Sequence, residues 1–171
     1  MVITDYLFCE PLIVERLREQ IPDLVEVTNA AGLAALDTDN PISPSVYVIY
    51  MGDAISPGPT ATGGIQAQAQ SVIQFWATVL TVYIADGRGI GQGVNTEAGP
   101  WMCKIIEALS GWAPDAKLCK PLSRAAMSLP VDYEAGYGYF PLVFQTQLIF
   151  PSGAPGNAGK SNFYKTSHSP G

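Results

Sequence analysis

The chain has 171 residues, 47% hydrophobic and only 14% charged, with 17 Gly, 14 Pro and a formal net charge of −6. That is one domain's worth of sequence, long enough to bury a core, and its acidic balance argues against a nucleic-acid or anionic-membrane binder, which needs clustered Lys and Arg. The single histidine, His168, lies in the last few residues, so the body has no imidazole for acid–base, shuttle or metal work.

The N-terminal Met1–Asp5 carries an acid where a signal peptide would carry bases, and no stretch reads as a membrane span, so a soluble protein made in the cytosol is expected. A helix is predicted over Pro11–Gln20: Pro11 suits a first turn, Ile13, Leu17 and Ile21 form an apolar stripe, and Glu15, Arg16, Arg18 and Glu19 are expected to face outward. Leu24–Val27 reads as a short strand, and Asn29 caps a short Ala-rich helix over Asn29–Leu36. After a turn-rich connector, Ser45–Met51 is apolar on both faces and reads as a central strand. Gly52–Gly64, with Pro57, Gly58, Pro59, Gly63 and Gly64, reads as a loop.

The run Gln66–Ala85 is far longer than a usual strand, and its first half is Gln and Ala while its second half is apolar on both faces. Unbroken it would span roughly 66 Å, more than a domain of this size accommodates. Either the strand breaks near Ser71 or residues 52–70 form a projecting β-arm, and the Gln/Ala half, with little to bury, favours the arm. Asp86–Gly93 is a glycine-rich turn. Pro100–Ser110 reads as the strongest helix, with Trp101, Met102, Ile105, Ile106 and Leu109 as its stripe and Gly111 as a left-handed cap; a start near Asn95, kinked at Gly99-Pro100, is the other option. Lys117–Leu122 reads as weakly extended. Tyr139–Phe150 closes the fold as a strand with Phe140, Leu142, Phe144, Leu148 and Phe150 on one parity. The fold class expected is α+β, a mostly antiparallel β-sheet with helices packed on one face and a projecting β-arm or loop. Residues 1–150 form the domain, and 151–171 a flexible C-terminal tail.

Charge divides unevenly. Residues 1–150 hold fifteen acids and seven bases, whereas Pro151–Gly171 holds Lys160 and Lys165 and no acid. Gly87–Gly93 has the placement of a phosphate loop, but Val94-Asn95 stand where Lys-Ser/Thr is needed and no third glycine completes a dinucleotide fingerprint. Asp37, Asp39 and Asn40 lack the Gly and distal Glu of a calcium loop. Asp132 and Glu134, two apart, could share a strand face as a carboxylate pair, though solvated charge is the commoner explanation. The cysteines, Cys9, Cys103 and Cys119, are odd in number with no CxxC spacing, which argues against a disulfide framework; Cys9 and Cys103 read as small core hydrophobes. With no body histidine, no serine or cysteine has an evident activator, so no enzyme and no cofactor is expected.

Several segments in order resemble the tail terminator family of long-tailed bacteriophages, including the Gp37-like group of Mu-like phages. They are the N-terminal helix and short strand, the Pro44–Tyr50 strand, Gln74–Val79 leading to the glycine-rich turn, the Ile105–Trp112 helix end and the Tyr139–Phe144 strand. Leu109–Pro114 (Leu-Ser-Gly-Trp-Ala-Pro) is the most telling piece. The resemblance implies a structural virion protein of the tail or neck. It would form a homo-hexameric ring that caps the tail tube, ends its polymerisation and offers the surface for head docking. The partners implied are further copies of itself, the tube protein, connector or neck proteins and the sheath protein. Subunit and partner contacts are expected at Ile55, Pro57, Ile65, Gln66, Gln68, Gln70, Gln74 and Arg88, and in the tail at Lys160, Phe163, Tyr164 and Lys165. Three other readings stand beside it: another neck, tail-completion or head-closure protein; a small-molecule-binding domain using the Trp/Tyr-rich interior as a pocket; and an enzyme working through Asp132 and Glu134, which requires them to converge in a cleft.

Overall fold

The computed structural model describes residues 3–35, 42–56, 71–83, 92–134 and 136–150. The elements run α1 (Cys9–Gln20), β1 (Glu26–Asn29), α2 (Ala30–Ala34), β2 (Ser45–Ile55), β3 (Ser71–Tyr83), α3 (Gln92–Leu109), β4 (Ser123–Arg124), β5 (Asp132–Glu134) and β6 (Tyr137–Ile149). They build a six-stranded mixed sheet in the order β1-β2-β3-β6-β4, with β5 also on β6. Only β1 and β2 pair in parallel; every other pairing is antiparallel. The fold is therefore α+β, as the sequence pattern indicates.

Pleating sorts β3 and β6 by parity onto two faces. One carries Trp76, Leu80 and Val82 opposite Phe144, Phe140 and Gly138, and α1 and α3 cover it. Ile13, Leu17, Trp76, Leu80, Ile105, Leu109, Phe144 and Leu148 are all at most 1% exposed, each contributing about 1.5–3 kcal/mol of transfer free energy. The stripe expected for α1 is buried; of the α3 stripe Ile105 and Leu109 are buried, joined by Ala98 and Ala108, while Trp101, Met102 and Ile106 are half-buried against the core. The second face holds a smaller cluster, Tyr47, Ala77, Val79 and Val143, with Leu33 of α2 packed against it. Thus α2 lies toward the opposite side from α1 and α3.

Several boundaries differ from the sequence reading for identifiable reasons. Gly52 does not begin a loop. It follows a bulge at Met51, takes φ +102°, and lets β2 resume pairing as far as Ile55 opposite Val72. Strand pairing there overrides the weak β propensity of Gly and Asp. β3 begins at Ser71; of the projecting arm expected over 52–70, Gly52–Ile55 pair with β3 and residues 57–70 lie outside the described residues. α3 starts earlier than either predicted start, at Gln92, and carries Pro100 inside it without the hydrogen bond that residue would donate. Gly111 takes φ +81° after the helix, as a left-handed cap should. Asn29 caps α2 by accepting from the Ala31 N–H at 3.2 Å.

Arg16 and Arg18 do not simply face outward. Arg16 donates from Nε to the Ala108 carbonyl at 3.1 Å and lies 5.4 Å from the Trp112 ring centre. Arg18 donates to the Val27 carbonyl at 2.6 and 3.0 Å. Arg16 is half-buried, whereas Arg18 stays exposed, as expected, while still reaching its carbonyl. Cys103 is exposed and Cys119 buried, the reverse of the reading for Cys103. Cys103 lies on the α3 side shared with exposed Glu107, away from the Ile105/Leu109 stripe. Lys117 and Leu118 belong to a turn on the Asp115 carbonyl, and extension starts at Cys119, which bridges to Leu148.

Candidate assembly surfaces

Two places present surface that the described residues leave uncovered. The first is the end of the sheet where β2, β3 and β6 run out. Beyond Val48 the outer edge of β2 has no partner strand among the described residues. Tyr6, Met51, Ile55 and Ile149 are large exposed apolar side chains at this end, with Ile55 the most open at 69%. Beneath them sits a polar and aromatic cluster. Tyr50 donates its hydroxyl to Asp53 at 2.9 Å and packs on Trp76 with ring centres 5.2 Å apart, while Tyr6 stacks on Phe150. Burial, and secondarily the neighbouring Asp53 carboxylate, push the Tyr6 and Tyr50 phenols above their ordinary range, so both stay neutral donors.

Gln74 lies inside this end, fully buried, donating Nε2 to the Tyr6 carbonyl at 2.8 Å. Its Oε1 and the Nε1 of Trp76 are buried with no hydrogen-bond partner among the described residues. An unpaired buried polar atom costs about 1–3 kcal/mol, so this end is not optimised for the isolated subunit.

The second place is an open groove on the sheet face that α1 and α3 leave uncovered. Leu33, Val79, Leu129, Pro130, Tyr139 and Pro141 line it, with Asp132 and Glu134 of β5 alongside. Desolvation first, then the charges of Glu134 and Asp132, raise the Tyr139 phenol. Both carboxylates are exposed. They border an apolar groove and not a cleft with a nucleophile or a second proton carrier, so the geometry gives no support to the enzymatic reading. The aromatic side chains of Trp76, Tyr47 and Tyr137 are packed into the core, each at most 1% exposed.

Of the expected contact residues, Ile55 is exposed at the hairpin end, whereas Gln74 is turned inward and supports the Tyr6 backbone from within the subunit. Pro57, Ile65, Gln66, Gln68, Gln70, Arg88, Lys160, Phe163, Tyr164 and Lys165 lie outside the described residues. The groove residues Leu33, Leu129, Tyr139 and Pro141 had not been singled out. The one available signal was the apolar Leu129-Pro130-Val131 beside the acids. On the helix-covered side Cys119 donates its thiol to the Asp115 carbonyl at 3.1 Å and accepts from the Asp115 N–H at 3.2 Å, and the proximity of the two thiols raises Cys9 and lowers Cys119. Both are buried, which suits packing better than reactivity.

Residues 3–155 match a family described as phage tail terminator protein. No curated protein matches the chain.

Proposed function

This chain belongs to the phage tail terminator family, and from that premise we propose that it forms a closed ring which caps the tail tube, stops its polymerisation and presents the surface to which the head docks. Family membership gives it a structural role in completing the virion tail and points away from enzymatic work. The ring, its six-fold stoichiometry and its tube-facing and head-facing surfaces are our reading. The observation that carries that reading beyond the family match is the exposed apolar set at the hairpin end, Tyr6, Met51, Ile55 and Ile149. Clustered exposed apolar side chains mark a contact surface more often than a bare one.

The end of the sheet suits such a role mechanically. Three long strands held rigid by helices on one face project a short, two-layered edge, so a neighbour meets a preformed surface and little backbone must be ordered on contact. A ring requires heterologous contacts in which two different patches of each subunit meet. The hairpin end and the groove face are two such patches.

The test is direct. The solution mass of the purified chain by light scattering should approach about 110 kDa, six times 18.2 kDa. Purified tube protein polymerising in its presence should give tubes of limited length under the electron microscope. Tubes that keep growing past their control length in excess protein would overturn the capping role.

A further inference from the structure

We propose that the groove on the uncovered sheet face is a docking site for the C-terminal segment of a neighbouring copy, with Phe163 and Tyr164 on its apolar floor and Lys160 and Lys165 against Asp132 and Glu134. The proposal rests on the ring reading above and identifies one seam between subunits.

Three observations support it. The floor is apolar (Leu33, Leu129, Tyr139, Pro141), yet the described residues leave it open. Its border carries two carboxylates with no cation: the one ion pair among the described residues is Lys104 with Asp23, at 3.5 Å. The chain supplies a segment of matching chemistry. Residues 1–150 hold fifteen acids and seven bases, whereas 151–171 hold two lysines, no acid and the adjacent aromatics Phe163-Tyr164. An aromatic pair flanked by lysines fits a greasy groove bordered by acids, because the apolar contact supplies affinity and the charges fix register and exclude other segments.

Reach favours a neighbour over the same subunit. The last described residue, Phe150, follows Ile149 at one end of β6, and the groove lies at the other end, around Tyr139. From Tyr139 to Ile149 the strand covers about 34 Å. A Gly/Ser-type chain as long as the stretch from Phe150 to Phe163 has a root-mean-square span of about 20 Å. Its fully drawn length is about 45 Å, so a subunit's own groove is reached only by a nearly taut chain. The matched family region ends at residue 155, so the segment that carries both lysines lies beyond it and the seam would be particular to this chain.

The test uses full-length chains and a synthetic peptide of residues 157–171. The receptor is the Lys160→Glu/Lys165→Glu chain, whose own tail no longer matches the groove. Fluorescein-labelled peptide should bind it, with anisotropy rising to saturation and binding weakening as salt rises. A second receptor, the Asp132→Lys/Glu134→Lys chain with its lysine-bearing tail unchanged, should bind that peptide at least tenfold more weakly, while a peptide carrying Glu in place of both lysines should regain binding. Circular dichroism should be unchanged, since both acids are exposed. No binding to the first receptor, or equal binding to both, overturns the proposal. This readout does not depend on ring formation. A wild-type chain of monomeric mass would remove the ring reading and leave the peptide result to decide the groove.

Discussion

Gly52 is the residue on which the hairpin end turns, and replacing it isolates one physical cause. It takes φ +102° at the bulge, and a Cβ built there meets nothing within 4 Å. Gly52→Ala therefore introduces backbone strain and no clash. A left-handed conformation costs an L-residue about 1–2 kcal/mol. Ala offsets about 0.4–1 kcal/mol of that by restricting the unfolded chain. The net loss should be about 1 kcal/mol, or about 2–4 °C in Tm for a domain of this size. Asn, which tolerates positive φ, should cost less, and Val, branched at Cβ, should cost more. Gly136 supplies the contrast: at φ +85° its Cβ would stand 2.8 Å from the Tyr83 ring, so Gly136→Ala combines strain with a clash and should lose more. Thermal melts followed by circular dichroism give the ranking. A Gly52→Ala chain that melts at or above wild type, or falls further than Gly136→Ala, would refute this reasoning.

Leu17→Ala empties a fully buried site between α1 and the sheet and should cost about 2–5 kcal/mol in urea unfolding. Arg16→Met removes the guanidinium that lies over the Trp112 ring and satisfies the Ala108 carbonyl, one of the orphan acceptors in the last turn of α3; a loss of about 1 kcal/mol or more is expected by the same assay. Burial raises the phenols of Tyr6, Tyr47, Tyr50, Tyr137 and Tyr139. Unfolded tyrosines ionise near pH 10 while these stay neutral, so their contribution is complete below pH 10 and is lost as pH rises above it. Of the chain's eight tyrosines, these five should ionise only as the circular dichroism is lost, so absorbance equivalent to more than three phenolates with the fold intact would contradict this.

What was legible in the sequence is what depends on local periodicity. The stripes of α1 and α3, the parity of Phe140, Leu142, Phe144 and Leu148, the Asn29 cap and the Gly111 cap all follow from spacing or from one residue's conformational preference. What was not legible depends on partners distant in the chain. Gly52 reads as a loop residue until β3 is beside it, and Gln74 reads as surface until its amide is placed under Tyr6. Arg16 and Arg18 read as solvated until the Ala108 and Val27 carbonyls are brought within reach. The groove was least visible, since its floor draws on α2, β3, β6 and the segment before β5, separated by up to about a hundred residues.

The way the sheet ends also decides which contacts it offers. The outer edge of β6 is covered by short pieces: the Leu118 carbonyl accepts from the Ile149 N–H, Lys120 donates to Gln147, β4 pairs at Gln145 and Phe144, Ala125 donates to Val143, and β5 pairs at Tyr139–Tyr137. A long free edge would invite indefinite strand-to-strand growth, which is a hazard for a protein whose family role lies at the completion of a tail. The stretch that covers this edge, between Leu118 and Glu134, also supplies Leu129, Pro130, Asp132 and Glu134 to the groove. Closing the edge thus removes a contact that could repeat without limit. It substitutes a shaped, charged recess that one segment can fill once, and a saturable contact of that kind is what a ring of fixed size requires.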